Sequence, residues 1–165
     1  MSTVHAVIGT PLGELTLIAR DDALSAVHFA GGRHRREDLG EPADTELFAA
    51  AERQFAEYFD GRRTRFDLPL APRGEPFQLR VWTLLEEIPY GETTTYGALA
   101  RRLGDVGYSQ AVGAANGQNP LPVIVPCHRV IGADGSLTGY AGGLDRKRYL
   151  LALEEPPPET AGRLF

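Results

Sequence analysis

One cysteine, one lysine, one methionine and one tryptophan occur among 165 residues, and each scarcity excludes something. A single thiol, Cys127, forbids an internal disulfide and any cysteine-rich structural zinc site, the pattern of a protein kept reduced inside the cell. No apolar run approaches the roughly 18 residues of a membrane span. The start Met1-Ser2-Thr3-Val4-His5 lacks a basic region leading into an apolar one, so the expectation is a cytoplasmic protein with no membrane partner. His5, His28 and His34 share no ligand-like spacing, and no metal is expected. With 42% hydrophobic and 24% charged residues, the chain can still bury a real core.

Positive charge is also scarce overall. The net of -5 argues against nucleic acid, because phosphate contacts need Lys and Arg. Its distribution argues the other way: residues 1–72 carry 8 basic and 12 acidic side chains, whereas residues 96–148 carry 6 basic and 3 acidic, and Cys127 lies in the second stretch. Of 17 basic residues only Lys147 is lysine; arginine suits phosphate and base-edge recognition, and a GC-rich genome would leave the same bias.

Residues 3–9 and 14–19 read as strands joined by the turn Thr10-Pro11-Leu12-Gly13, with a third strand over 24–29. Residues 31–42, which hold three arginines and His34, have no periodicity and read as a solvated loop. A helix is expected over 44–59, capped by Asp44, with Leu47, Phe48, Ala51, Phe55 and Phe59 on its core face. Residues 65–70 alternate as a strand, and the Pro- and Gly-rich stretch that follows places a linker at 73–76.

Beyond it the pattern turns to short helices: 77–88 with Phe77, Val81, Leu84, Leu85 and Ile88 as its stripe, 96–103 capped by the Thr93-Thr94-Thr95 hydroxyls, and 110–116. The last two, joined by a glycine-containing turn, look like a helix-turn-helix. The small side chains of 110–116 fit either tight internal packing or close approach to a DNA groove. Gly132-Ala133-Asp134-Gly135 reads as a hairpin turn and 144–155 as a final helix, stopped by Pro156-Pro157-Pro158.

The stretch Pro122-Val123-Ile124-Val125-Pro126-Cys127-His128-Arg129-Val130-Ile131 holds the thiol, with a proline on either side of its apolar approach. Each ring fixes φ and removes a donor, which stiffens the turn. A lone cysteine is most often a small inert hydrophobe, while a thiol on a stiff turn can be held in attack geometry. Adjacent residues of an extended strand face opposite ways, so His128 reaches Cys127 only if the turn bends or a water bridges them.

Phe77-Gln78, Val81-Trp82, Ile88-Pro89-Tyr90-Gly91-Glu92-Thr93, Tyr96-Gly97, Leu99-Ala100, Ala111-Val112-Gly113, Asn119-Pro120, Pro126-Cys127-His128-Arg129-Val130 and Gly139-Tyr140-Ala141-Gly142-Gly143-Leu144 together resemble the O6-alkylguanine-DNA alkyltransferases. The likeness spans residues 76–155. It implies an α/β fold: a small N-terminal α/β domain over 1–72 with an antiparallel sheet plus helix, and a mainly helical C-terminal domain over 77–165 with a winged helix-turn-helix.

The activity implied is direct-reversal DNA repair, in which O6-alkylguanine, and O4-alkylthymine as a further lesion, is flipped out of double-stranded DNA. Its alkyl group then passes irreversibly to the protein's own cysteine, as in a methylated-DNA–protein-cysteine methyltransferase. No cofactor is implied, and cooperative self-association on DNA is left open. By position, Cys127 is the acceptor, His128 a base acting through a bound water, and Glu154 the carboxylate that orients it. Asn119 braces the turn, and Tyr96 helps flip the nucleotide and protonates the departing base. The carbonyls of Cys127 and Val130 read the exocyclic amine, the amide of Ala141 faces O6, and Tyr140 lines the substrate site. Tyr96, Tyr108, Ser109, Gln110, Ala111, Gly113 and Arg129 fall at the DNA interface.

One departure stands out: Gln110 occupies the place of the family's usual finger arginine, and Tyr108 is the nearest candidate wedge. The chemistry needs several groups at once. Complete ionisation of a thiol near pKa 8.5 gains on the order of 30-fold, too little without alignment and protonation of the leaving base. Three other readings compete: a lesion-binding protein of the alkyltransferase-like type, disfavoured because Cys127 is present; a cysteine hydrolase, separable by turnover; and a damage-responsive regulator, disfavoured by the lack of an extra cysteine cluster.

Overall fold

Alternation of apolar residues decides the first third of the chain. In the computed structural model, which describes residues 3–31, 39–140 and 142–156, strand β1 (Thr3–Thr10), β2 (Gly13–Arg20) and β3 (Ala23–Phe29) form an antiparallel meander with β2 at its centre. Leu15 and Leu17 of β2 are completely buried, as the middle strand requires, and a bulge at Ile18/Ala19 shifts the register against β3. A two-residue strand β4 (Glu41–Pro42) joins the edge of β1 in parallel, so the sheet is not purely antiparallel. Most of the expected loop around it, His34 included, lies outside the described residues.

Helix α1 (Glu46–Phe59) covers the sheet, but its cap and face differ from expectation. The Thr45 hydroxyl, not Asp44, accepts from the Phe48 amide. The fully packed stripe is Phe48, Ala51, Gln54, Phe55 and Tyr58, which leaves Leu47 and Phe59 only partly buried. Residues 65–70 do not form the expected strand; Leu24 and Leu70 make one isolated bridge. Pro69 has no N–H to offer a ladder, and the Gln54 side chain takes both polar groups of Asp67, donating to its carbonyl at 3.0 Å and accepting from its amide at 2.8 Å.

The second half begins with α2 (Pro76–Leu85), where a capping box between Glu75 and Gln78 and a proline at the first position set the start. Gly74 is needed just before it, because a Cβ there would lie 2.5 Å from the Trp82 ring. The helix stops at Leu85, short of Ile88, which is buried on the following turn. Strand β5 (Thr94–Thr95) leads into α3 (Tyr96–Arg102), capped by the Thr95 hydroxyl at 3.1 Å from the Ala98 amide. A 3-10 turn (Val106–Tyr108) separates α3 from α4 (Ser109–Gly117), completing the helix-turn-helix pair.

A second 3-10 turn carries Cys127–Arg129; β6 (Val130–Ile131) and α5 (Leu144–Glu154) close the fold. The turn at 132–135 is present but closes on itself, with the Gly132 amide donating to Ser136 at 2.9 Å. It is not a hairpin: β6 pairs in parallel with β5, which comes from the other side of the helix pair. One contiguous core joins sheet and helices, from Leu15 and Phe55 through Trp82 and Val112 to Leu150. No helix among the described residues is long and apolar enough to cross a membrane.

Candidate active site

The approach to the thiol is constrained by more than its prolines. Val123 sits at φ 74°, a left-handed conformation that a β-branched side chain seldom adopts, and its side chain is buried. Pro126 (φ -80°, ψ 66°) is the centre of an inverse γ-turn, in which the Cys127 amide donates to the Val125 carbonyl at 2.8 Å. Asn119 clamps this segment: its Nδ2 donates to the Val125 carbonyl at 2.8 Å and its Oδ1 accepts from the Leu121 amide at 3.0 Å. Asn116, from the small-residue helix α4, donates to the Cys127 carbonyl at 3.3 Å. The resulting bend puts Cys127 and His128 on a helical turn rather than an extended strand.

His128 is fully buried, and its Nε2 lies 2.8 Å from Glu154 Oε2. Burial pushes the Glu154 carboxyl up, but hydrogen bonds from His128 and Arg129 outweigh it and bring its pKa down to about 2. The carboxylate is therefore ionised and can only accept, so His128 carries its proton on Nε2. Burial, only partly opposed by Glu154, keeps the imidazole pKa below its ordinary value and the ring neutral. Its Nδ1 has no hydrogen-bond partner among the described residues.

Burial likewise raises the Cys127 thiol to about 11, against smaller opposing contributions from Asn119 and Lys147. The resting pair is a neutral thiol beside a neutral imidazole. At neutral pH only roughly one thiol in ten thousand is ionised on that footing.

Arg129, placed by the sequence at the DNA interface, faces inward. It is 6% exposed, binds both oxygens of Glu154 at 2.7 and 2.9 Å and the Ile88 carbonyl at 2.6 Å, and stacks over Tyr90 at 5.7 Å. Val130 is fully buried and its carbonyl already accepts from Lys147 at 2.8 Å, while the Cys127 carbonyl accepts both from Asn116 and from the Val130 amide, so neither carbonyl is free of a donor before a base arrives. Ala141 lies outside the described residues.

An open cavity of about 550 Å³ lies beside this cluster, lined in part by Tyr96, Gln110, Gly113, Thr138 and Tyr140. The Tyr96 hydroxyl is 2.6 Å from Thr138 Oγ1, and Gly113 packs under its ring, where a Cβ would sit 3.8 Å away. Tyr140 is buried, its ring 5.8 Å from Phe29, and its hydroxyl is unpartnered among the described residues. Burial and then the nearby Cys127 hold its phenol well above the usual range. Tyr108 is 44% exposed and rests edge-on against Phe77. Gln110 and Ala111 are exposed beyond it, while the Ser109 hydroxyl is taken up locally by the Val106 carbonyl at 2.7 Å.

Sequence reasoning missed Tyr58, which donates to Glu154 Oε2, and Lys147, whose fully buried ammonium donates to Val130 and Thr138 carbonyls at 2.8 and 2.9 Å. It also missed Asn116 and Thr138. Lys147 carried one signal, being the sole lysine; Tyr58, three residues after Phe55 on the packed stripe, carried none beyond that of a core aromatic.

Two family descriptions match nearly the whole chain: the ribonuclease-like domain of 6-O-methylguanine DNA methyltransferase over residues 3–72 and its DNA binding domain over 76–156. A methylated-DNA–protein-cysteine methyltransferase of Mycolicibacterium paratuberculosis is 48% identical over 98% of both chains, and one of Methanosarcina mazei is 54% identical over 92% of this chain and 96% of its own. The crystal structure of Mycobacterium tuberculosis OGT in complex with DNA superposes with a TM-score of 0.84 at 45% identity, covering 94% of this chain and 96% of that one. A clamped, buried thiol beside an imidazole–carboxylate pair thus sits in a chain that belongs to the 6-O-methylguanine DNA methyltransferase family.

Proposed function

We propose that this protein repairs DNA by taking the alkyl group of O6-alkylguanine, and of O4-alkylthymine, onto Cys127 in a single turnover, acting on duplex DNA in the cytoplasm. The observation that carries the reading is the Cys127–His128–Glu154 cluster, with its thiol held on an Asn119-clamped turn next to a tyrosine-lined cavity. Cys127 Sγ attacks the alkyl carbon; the S–C bond forms as the C–O6 bond breaks. The thiol proton passes through a bound water to His128 Nδ1, and the departing guanine is protonated from Tyr96. Because thiol and imidazole are both neutral at rest, proton transfer belongs to the reaction itself rather than preceding it. The lesion must leave the stack to reach a buried sulfur.

The chain divides, on this reading, at residues 73–76 into a sheet-bearing domain and a DNA-binding, alkyl-accepting one; family matches ending at 72 and starting at 76 support the division. Tyr108, exposed at the start of α4, serves as the wedge that fills the gap behind the flipped base, in place of the arginine that Gln110 replaces. The alternative is that flipping is weakened by the loss of the finger: Gln110→Arg would then raise the single-turnover rate on duplex DNA and leave that on single strands unchanged, whereas an unchanged duplex rate counts against finger loss and leaves Tyr108 as the wedge.

Intact mass after incubation with a duplex containing O6-methylguanine tests the main reading. A gain of one methyl group per molecule, absent in Cys127→Ser, is expected. Repaired DNA with residue 127 unmodified, or repair of many lesions per molecule, overturns it.

A further inference from the structure

Four hydrogen bonds reach the Glu154 carboxylate, and three end on the same oxygen. Oε1 accepts from Arg129 Nε at 2.7 Å; Oε2 accepts from His128 Nε2 at 2.8 Å, from Arg129 Nη2 at 2.9 Å and from the Tyr58 hydroxyl. An ionised carboxylate offers roughly two lone-pair sites on each oxygen, so Oε2 is saturated while Oε1 keeps one site. Three of the four donors belong to the turn that carries Cys127 and move with it. The fourth comes from α1, a 14-residue helix packed on the sheet. Tyr58 itself is immobilised: its ring is buried, 5.3 Å from Phe66 and edge-on to Phe59 and Tyr90 at 5.2 and 6.2 Å. Burial, then the Glu154 charge, keeps its phenol above the ordinary range, so it remains a donor.

We propose that Tyr58 is a positioning residue for the alkyl-transfer site, its hydroxyl tying Glu154 to the sheet unit so that the carboxylate meets His128 only as an acceptor from Nε2–H. Nδ1 is then left as a bare lone pair for the Cys127 proton. A neutral imidazole can carry its proton on either nitrogen, and the choice is made by the bond the other nitrogen forms. Arg129 and His128 cannot make that choice alone, because a turn that shifts carries both along with the thiol. The proposal rests on the reading of Cys127 as alkyl acceptor and extends it: the sheet unit, which lines none of the cavity, takes part in the chemistry through one hydroxyl. The other charged or titratable groups facing Glu154 are Arg129, Tyr90 after α2 and Tyr140 before α5, while Lys147 faces Cys127 and His128.

Tyr58→Phe keeps the ring and removes the donor. Imidazole ¹⁵N NMR of the full chain, with His128 assigned by its own substitution, should give the Nε2–H tautomer in the wild type and a tautomer mixture in the variant. The single-turnover rate at saturating duplex should fall about tenfold, with affinity for unmodified duplex changed less than about twofold. The acid limb of the pH–rate profile should move to lower pH, because a Glu154 carboxylate no longer held against Nε2–H supports the imidazolium less. In a Glu154→Gln background, Tyr58→Phe should add less than about a twofold further loss, since the partner is already gone.

A wild-type tautomer and pH profile in Tyr58→Phe, or the same tenfold loss in both backgrounds, overturns the proposal. Should Tyr58→Phe fail to fold, difluorotyrosine installed at position 58 strengthens the donor, holds the carboxylate more firmly against Nε2–H and should move the acid limb to higher pH; an unmoved limb likewise overturns it. The tautomer measurement needs no lesion, so its failure is distinct from a failure of the wild type to gain a methyl group.

Discussion

At the scale of single residues, the site trades stability against pH in three directions whose signs follow from the shifts. The Cys127 thiol is raised from 9.0 to about 11, so its contribution is intact below pH 9 and is lost as pH rises through 11. That window is worth about 3 kcal/mol. Alkaline unfolding followed by circular dichroism should therefore be shallower in Cys127→Ser between those limits. His128 is buried neutral with a lowered pKa, so its contribution is present above 6.5 and declines as pH falls below it. Glu154, depressed from 4.5 to about 2, follows, its contribution disappearing as pH falls through 2. Stability should thus decline in two acid steps, and His128→Gln should remove the upper one.

The same residues mark what could be read without coordinates. Cys127, His128, Asn119 and Glu154 were legible as candidates only through the resemblance of the surrounding blocks to a known family, and the structure brings all four together. Tyr58 was not, because its partner lies 96 positions away and nothing local distinguishes it from a packed aromatic. Arg129 misled for the converse reason: sequence gives a charge but not its direction, and a bidentate carboxylate turned this one inward.

At the scale of elements, helices with local signals were the legible part. Thr95 capping α3 and the proline stop after α5 depend on neighbours in sequence. The expected strand over 65–70 depended on a partner that sequence does not show, and Gln54 supplied a side-chain substitute for the ladder. Gln54→Ala should leave the Asp67 amide and carbonyl unpaired and lower stability by about 1–3 kcal/mol, measured by urea unfolding. Arg146 has a comparable structural load: it donates to the carbonyls of Leu12, Ala30 and Gly142 at 3.0–3.1 Å and stacks on Phe29 at 4.9 Å. It joins the loop bearing Tyr140 to the end of β3. Arg146→Ala should lower the midpoint of thermal unfolding and slow alkyl transfer more than it weakens binding to unmodified duplex; equal effects on rate and affinity would mean the loop is held by other contacts.

At the scale of the whole molecule, the charge map changes meaning once the chain is folded. The six basic residues of 96–148 suggested an electrostatic footprint for DNA, yet Arg129 and Lys147 are buried and Arg146 is engaged between loops. Arg148 pairs with Asp145, and Arg102 with Glu87, both at the surface where such pairs contribute little and can exchange for phosphate. Arg101 and Arg102, side by side in the last turn of α3, are left as the main cations beside the cavity-lining helices. A protein of net charge -5 with so few outward cations in residues 96–148 should bind duplex through that face with a shallow salt dependence. A log–log slope of about -2 to -3 is expected from fluorescence anisotropy over a salt series, against much steeper slopes for proteins that neutralise many phosphates. Arg101→Ala should reduce the slope by about 1. A slope near -6 in the wild type would require phosphate contacts from basic residues that the fold directs elsewhere. It would place the DNA on a different face from the one that opens onto Tyr96 and Tyr140.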